Sequence, residues 1–288
     1  MKIRFSDMVF TINPSFVFIL IFYGWSGYLL QASYFFAMIL IHELAHFSMF
    51  LCYKVKVKNI ELTPFGGKIT YERSVLDLRQ EMVILMAGPI SNLLVGIALQ
   101  FLGINGYYIQ ANYFLFLLNI LPLVPLDGGK FSKLFLSQYI GHLKATRILC
   151  VFTYIIIVIV DIFVLIFIGG YKTVLNIAIF TLFVAWETYK ESKEAIYTFM
   201  REIVYKKELI YKKKIMSTRH IVAMDTVTLK SILNSFVPNK YHLIVLLDEN
   251  AMSYKIVDEI QIIDAILDLG LNHTLKDVIN KRSETNEK

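Results

Sequence analysis

Six runs of roughly 20 apolar residues run through this 288-residue chain, each about the length a helix needs to cross the hydrocarbon core of a bilayer. They fall at about 8–29, 32–52, 81–103, 107–126, 148–169 and 171–189. With 56% hydrophobic and 18% charged residues and a mean hydropathy of +0.57, the chain is too apolar for an ordinary soluble domain of its size. A polytopic α-helical membrane protein is expected, with the lipid bilayer as its first partner. Lys2 and Arg4 precede the first run as in a signal peptide, but Leu30 and Ala32 make a poor cleavage site, so an uncleaved first helix is expected.

The basic residues orient the spans. Lys54, Lys56, Lys58, Lys68, Arg73 and Arg79 lie in the stretch 53–80, and Lys130, Lys133, Lys144 and Arg147 in 127–147. The connections near 30 and 104 hold no Lys or Arg, so the positive-inside rule puts both basic stretches, the N-terminus and the C-terminal part in the cytoplasm. A net charge of +6 and a pI near 9.1 reflect this clustering at span ends and in 190–214. It fits anionic lipid headgroups; no nucleic-acid motif accompanies it, and no nucleic-acid partner is expected. Cys52 and Cys150 lack CxxC spacing and signal neither a disulfide framework nor a cysteine metal site.

Two segments read differently. Residues 57–71 alternate around Pro64-Phe65-Gly66-Gly67, a hairpin signature. After Tyr189 the composition turns polar, which gives three expected regions: a membrane domain over 1–189, a basic linker helix over 190–214, and a small α/β module over 215–288. Within the module, strands are expected at 220–224, 241–247 and 254–257, and helices at 226–236 and 260–269.

The chemistry concentrates in the second run, where Ile41-His42-Glu43-Leu44-Ala45-His46 is an H-E-x-x-H motif. Residues four apart share a helix face, so His42 and His46 can offer two imidazoles to one zinc ion, with Glu43 in reach as general base. Three ionisable residues in one turn of an apolar helix are expensive to place in a bilayer and are seldom kept without use. A catalytic zinc usually takes a third protein ligand. Asp127 is the best candidate, because Pro122, Pro125, Gly128 and Gly129 break the helix beside it and open a place for a polar site. Asp161, alone in a regular apolar helix, is its rival. A metal-ion transporter and a catalytically inactive membrane regulator are the competing classes; Glu43 beside the ligand pair disfavours the first, and the complete His42, Glu43, His46 and Asp127 set disfavours the second.

These residues resemble the site-2 proteases, intramembrane zinc metalloproteases with H-E-x-x-H in one helix and Asp-Gly in a later one. Thr63-Pro64-Phe65-Gly66-Gly67 resembles their membrane-associated hairpin, Ala87-Gly88-Pro89-Ile90-Ser91-Asn92 their A-G-P-x-x-N element, and Asn119 to Gly129 their N-x-x-P-x-x-x-L-D-G-G segment. The resemblance covers about two-thirds of the chain. It implies one zinc per chain and substrate contacts at Asn119, Pro122, Pro125, Phe65 and Gly66. It also points to a branch acting in endospore formation, with a pro-sigma-K-like precursor as substrate, inhibitory membrane proteins as partners, and a place in the outer forespore membrane. Residues 215–280 resemble one CBS motif, which implies a homo-oligomer through paired modules and ATP or another adenine nucleotide near Asp264, although Asp258 and Gln261 stand where Gly and Thr are usual.

Overall fold

The computed structural model describes residues 2–5, 8–12, 27, 29–63, 66–71, 76–104, 106–168, 170–213, 215–237, 240–248 and 252–278. The chain divides into two compact units, residues 1–132 with 152–188 and residues 133–151 with 189–288.

The first unit opens on strands β1 (Lys2–Phe5) and β2 (Met8–Ile12), followed by helix α1 (Leu29–Cys52), strands β3 (Val57–Thr63) and β4 (Gly66–Tyr71), and helices α2 (Leu78–Phe101) and α3 (Tyr107–Ile120). The four strands form one sheet in the order β1-β2-β3-β4, with β2 parallel to β3 and the other pairs antiparallel. The hairpin expected at 57–71 is therefore half of a larger sheet. Residues 8–12, read from sequence as the start of the first span, are a strand in it, and 13–26 lie outside the described residues. A short apolar run fits a strand as well as a helix, and only its pairing with β3 decides between them.

Helices α1, α2 and α3 pack on one another, and α1 also touches β4. Their faces are sorted by radial position. On α1, Ala32, Ile39, His42, Glu43, His46 and Phe50 point inward at helical spacing, whereas Leu40, Leu44 and Leu51 are exposed. Charged and polar groups inside with leucines outside is the distribution a lipid solvent imposes, because buried polar groups there must find protein partners. Phe50, Val55 and Ile84 close a small apolar cluster where the sheet meets the helices, with Val57 and Ile69 against it. Helix α2 is capped at Asp77, whose backbone N–H donates to Gln80 Oε1 at 2.9 Å.

Three further helices follow: α4 (Asp127–Ile140), α5 (His142–Phe167) and α6 (Tyr171–Lys213). Among the described residues, α1, α2 and α5 are long and apolar enough to cross a membrane. The segment expected as the fourth span is a 14-residue helix, α3, that stops at Ile120 before the non-helical stretch 121–126. Helix α4 occupies residues expected to belong to a basic loop. Residues 171–213 are one uninterrupted 43-residue helix, so the expected span 171–189 and the basic segment after it share one element.

In the second unit, β5 (Thr218–Met224), α7 (Leu229–Leu233), β6 (Tyr241–Leu247), β7 (Ser253–Asp258) and α8 (Glu259–Leu269) fold with β6 central, parallel to β5 and antiparallel to β7. Alternate residues of β6, His242, Ile244 and Leu246, face a core built with Leu229, Leu233, Phe236, Val257, Ile262 and Leu275. His242 is fully enclosed: its Nε2 accepts from the Val237 N–H at 3.0 Å, its Nδ1 lies 2.8 Å from Glu259 Oε2, and the Phe236 ring stacks on it at 4.5 Å.

Candidate metal centre

The site is built where α1, α2 and the start of α4 meet. His42 and His46 stand one turn apart on the inward face of α1, 5% and 6% exposed, and Asp127, at the start of α4, is 7% exposed. Their ligand atoms converge. His42 Nε2 is 2.9 Å and His46 Nε2 3.0 Å from the same oxygen, Asp127 Oδ2, and the two Nε2 atoms are 3.2 Å apart. Asp161, the rival third ligand, instead accepts at Oδ1 from the Thr181 hydroxyl at 3.0 Å, a bond between α5 and α6. Glu43 is buried next to His42.

The neighbours show what the triangle is suited to hold. His46 Nδ1 lies 2.7 Å from the Ile84 carbonyl oxygen. A carbonyl only accepts, so Nδ1 carries a proton, and in the neutral form of the ring Nε2 presents a lone pair to Asp127 Oδ2. Two facing acceptors at that distance repel unless a proton or a metal cation lies between them. Donors of a tetrahedral zinc, at about 2.0–2.1 Å from the metal, sit roughly 3.3–3.4 Å apart, so edges of 2.9, 3.0 and 3.2 Å need only a small expansion. Two imidazoles and a carboxylate, with a fourth position open, are a donor set suited to zinc.

Close backbone approach is enforced by glycines. A Cβ on Gly88 of α2 would lie 2.3 Å from His46 Nε2 and 2.6 Å from His42 Nε2, and so would occupy the space of the triangle. A Cβ on Gly128 would meet Leu121 O at 2.3 Å, and one on Gly129 would meet Leu123 O at 2.3 Å. The stretch 121–126 folds tightly over the start of α4 and sets where Asp127 points. Its Val124–Pro125 bond is cis.

This break leaves backbone groups without helical partners, and hydroxyls satisfy them. The Val124 N–H donates to Thr153 Oγ1 at 3.0 Å, and Thr188 Oγ1 donates to Val124 O at 2.9 Å; both threonines are fully buried. Sequence reading missed Thr153 and Thr188, and took Lys130 only as a charge in a basic stretch. Isolated threonines carry no periodic signal, and only the helix pairing brings them here, whereas Lys130 comes with Asp127 three residues along the same helix.

The remaining expected residues are placed as follows. Asn119 is half-buried and its Nδ2 donates back to Leu115 O at 3.1 Å. Pro122 and Pro125 are half-buried in the broken stretch. Gly66 begins β4, paired with Thr63. Phe65 lies outside the described residues, and Asp264 is exposed on α8.

Residues 31–111 match the profile of peptidase family M50. A zinc metalloprotease of Methanocaldococcus jannaschii is 34% identical over 124 residues, 39% of this chain and 36% of that protein. Stage IV sporulation protein FB of Bacillus subtilis is 31% identical over 119 residues, 38% of this chain and 41% of that protein. The matches thus span about two-fifths or less of these relatives' length. Among solved structures, the site-2 protease of Methanocaldococcus jannaschii superposes with a TM-score of 0.54 at 24% identity, over 67% of this chain and 94% of that one, a likeness of fold. The resemblance to site-2 proteases read from the motifs is borne out. The family match ends before Asp127, so the third ligand rests on the geometry.

Proposed function

We propose, on the premise of the family M50 match, that this chain is a zinc-dependent intramembrane metalloendopeptidase of the site-2 type. The observation that carries this reading is the convergence of His42 Nε2, His46 Nε2 and Asp127 Oδ2 on one another at 2.9 to 3.2 Å, inside a set of apolar helices. His42, His46 and Asp127 would hold the ion. A zinc bound there would polarise the scissile carbonyl and lower the pKa of a water toward neutrality. Glu43, one residue from His42 and buried, takes the proton from the attacking water and hands it to the leaving amine. Burial strengthens this exchange, because low-dielectric surroundings screen the charges less than water does.

Substrate contact is assigned to Asn119, Pro122 and Pro125 beside the break, and to the hairpin at Phe65 and Gly66. Strand β4 ends the sheet order, so a substrate segment added at its edge would be extended, exposing a peptide bond that a helix would hide. The six-span count, the cytoplasmic termini and the division at 189 and 214 belong to the same reading. Similarity to stage IV sporulation protein FB supports a role in endospore formation. A pro-sigma-K-like precursor as substrate, inhibitory membrane partners and the outer forespore membrane as location complete the proposal. The strand and helix order of 218–269 is compatible with one CBS-like module. Pairing of two chains through it and an adenine nucleotide near Asp264 are further parts of the proposal.

The test is co-expression with tagged pro-sigma-K and, separately, with a generic membrane-anchored substrate, comparing wild type with Glu43→Gln. Glu43-dependent shortening of pro-sigma-K supports the whole reading. Cleavage of the generic substrate alone keeps the protease and removes the sporulation role; cleavage of neither, with zinc bound, removes the protease.

A further inference from the structure

One face of α2 carries a stripe that matches the ligand pair of α1 turn for turn. Ile84, Gly88 and Asn92 recur every four residues and line up on one side of the helix, as His42 and His46 do on theirs. The two helices meet along these faces: Ile84 O is 2.7 Å from His46 Nδ1, the Asn92 amide is 3.1 Å from His42 Nδ1, and Gly88 between them has no side chain to intrude on the two Nε2 atoms. Each imidazole is thus gripped at Nδ1 by α2 and turned with Nε2 toward Asp127.

The two grips differ in kind. The Ile84 carbonyl can only accept, and so fixes His46 in the tautomer with its proton on Nδ1. Asn92 carries both a donor and an acceptor on one amide, and it is fully buried. With Nδ2 toward His42, as the amide stands, His42 Nδ1 is the acceptor and its proton sits on Nε2, where it can donate to Asp127. In that arrangement Asn92 Oδ1 is buried without a partner among the described residues, and in the turned amide Nδ2 takes that place, so the choice between the two rests on what His42 needs as a ligand. Half a turn of the amide puts Oδ1 opposite Nδ1, which moves the proton of a neutral His42 to Nδ1 and frees the Nε2 lone pair. Which end of an amide faces a histidine follows from the hydrogen bonds it completes. A ligating imidazole needs the second arrangement, since it donates its other N–H to an acceptor.

We propose that Asn92 is a positioning residue for the metal: through Oδ1 it accepts the Nδ1–H of His42 and holds that ring in the metal-binding tautomer, as Ile84 O does for His46. This rests on the zinc reading above. It also gives the stripe a division of labour, with two acceptors a turn to either side of a glycine that leaves room for the ion.

The experiment uses the full chain in detergent and measures zinc affinity by competition with a chelator, beside thermal stability, for wild type, Asn92→Leu and Asn92→Asp. The leucine keeps the branched shape of asparagine without an acceptor; the aspartate is an acceptor only. Zinc affinity is expected to fall roughly 10- to 100-fold in Asn92→Leu and to be kept in Asn92→Asp, the range typical for an outer partner of a metal ligand. Equal affinity in wild type and Asn92→Leu, or equal loss in both variants, overturns the proposal. A readout in the unaltered protein backs this up if the variants fold poorly. In zinc-loaded wild type labelled with 15N-histidine, the His42 Nδ1 proton should be protected from solvent exchange like that of His46, and a deprotonated His42 Nδ1 overturns the proposal. Wild type that binds no zinc at His42 and His46 would instead remove the metal reading itself.

Discussion

Lys130 Nζ donates to Asp127 Oδ1 at 3.0 Å, on the carboxylate oxygen opposite the one that faces His42 and His46. The carboxylate is thereby divided, one oxygen for the ligand triangle and one for a cation three residues on. The lysine side chain is 48% exposed, so solvent screens its half of the pair. An exposed partner of this sort contributes little, about 0–1 kcal/mol. Lys130→Met should therefore lower cleavage by less than roughly tenfold, whereas Asp127→Asn should remove zinc along with activity. Metal content and cleavage measured on the two variants distinguish a tuning cation from a ligand.

Glu43→Gln keeps the size and burial of the side chain but not its basicity. Zinc content should be unchanged and the rate of peptide cleavage should drop about 10²- to 10⁴-fold or more, the usual contribution of a positioned base. Loss of zinc in this variant would show that Glu43 acts on the ligands instead of on water.

Gly88→Ala should abolish zinc binding with the helices still folded. The added methyl group would lie 2.3 Å from His46 Nε2, less than any real contact, so an imidazole must swing away. Far-ultraviolet circular dichroism like wild type, with zinc below stoichiometry, is the expected pair of results.

Thr153→Val leaves the Val124 N–H buried without its acceptor, and Thr188→Val removes a donor to the Val124 carbonyl. A stranded buried amide costs about 1–3 kcal/mol, and a carbonyl with a second lone pair tolerates the loss better. Thr153→Val should be the more destabilising, and both should impair zinc binding by loosening the stretch before Asp127. Denaturation in detergent, with and without zinc, measures both effects.

In the second unit the Tyr241 phenol is pushed up to about 12, first by burial and then by the charges of Asp258 and Glu259. An unfolded phenol titrates near 10. Between about pH 10 and 12 the unfolded chain releases this proton and the folded one keeps it, so stability present below pH 10 is lost as pH rises. Urea unfolding monitored in the C-terminal part should weaken across that window, and Tyr241→Phe should flatten the slope.

Local features of the sequence were legible. The four-residue spacing of His42 and His46 places them on one face whatever surrounds the helix, and prolines and glycines around Asp127 announce a break wherever it packs. The alternation of Tyr241 to Leu247 is a half-buried strand on its own evidence. Met8 to Ile12 failed because an apolar run without a partner does not say whether it is strand or helix, and the pairing of β2 with β3 lies some 50 residues away along the chain.

The sequence alone determined that this protein is apolar enough to be solvated by lipid, that one helix carries two imidazoles and a carboxylate on an expensive polar face, and that a later segment cannot be continuous helix. Those are properties of composition and short-range geometry, which need no neighbour to hold. Tertiary structure decided the rest: that Asp127 Oδ2 meets both Nε2 atoms, that Ile84 and Asn92 grip the far sides of the two rings, and that Thr153 and Thr188 satisfy Val124. Each of these is a contact between residues 29 to 85 positions apart, fixed by which faces of the helices pack together, and no local pattern encodes that choice.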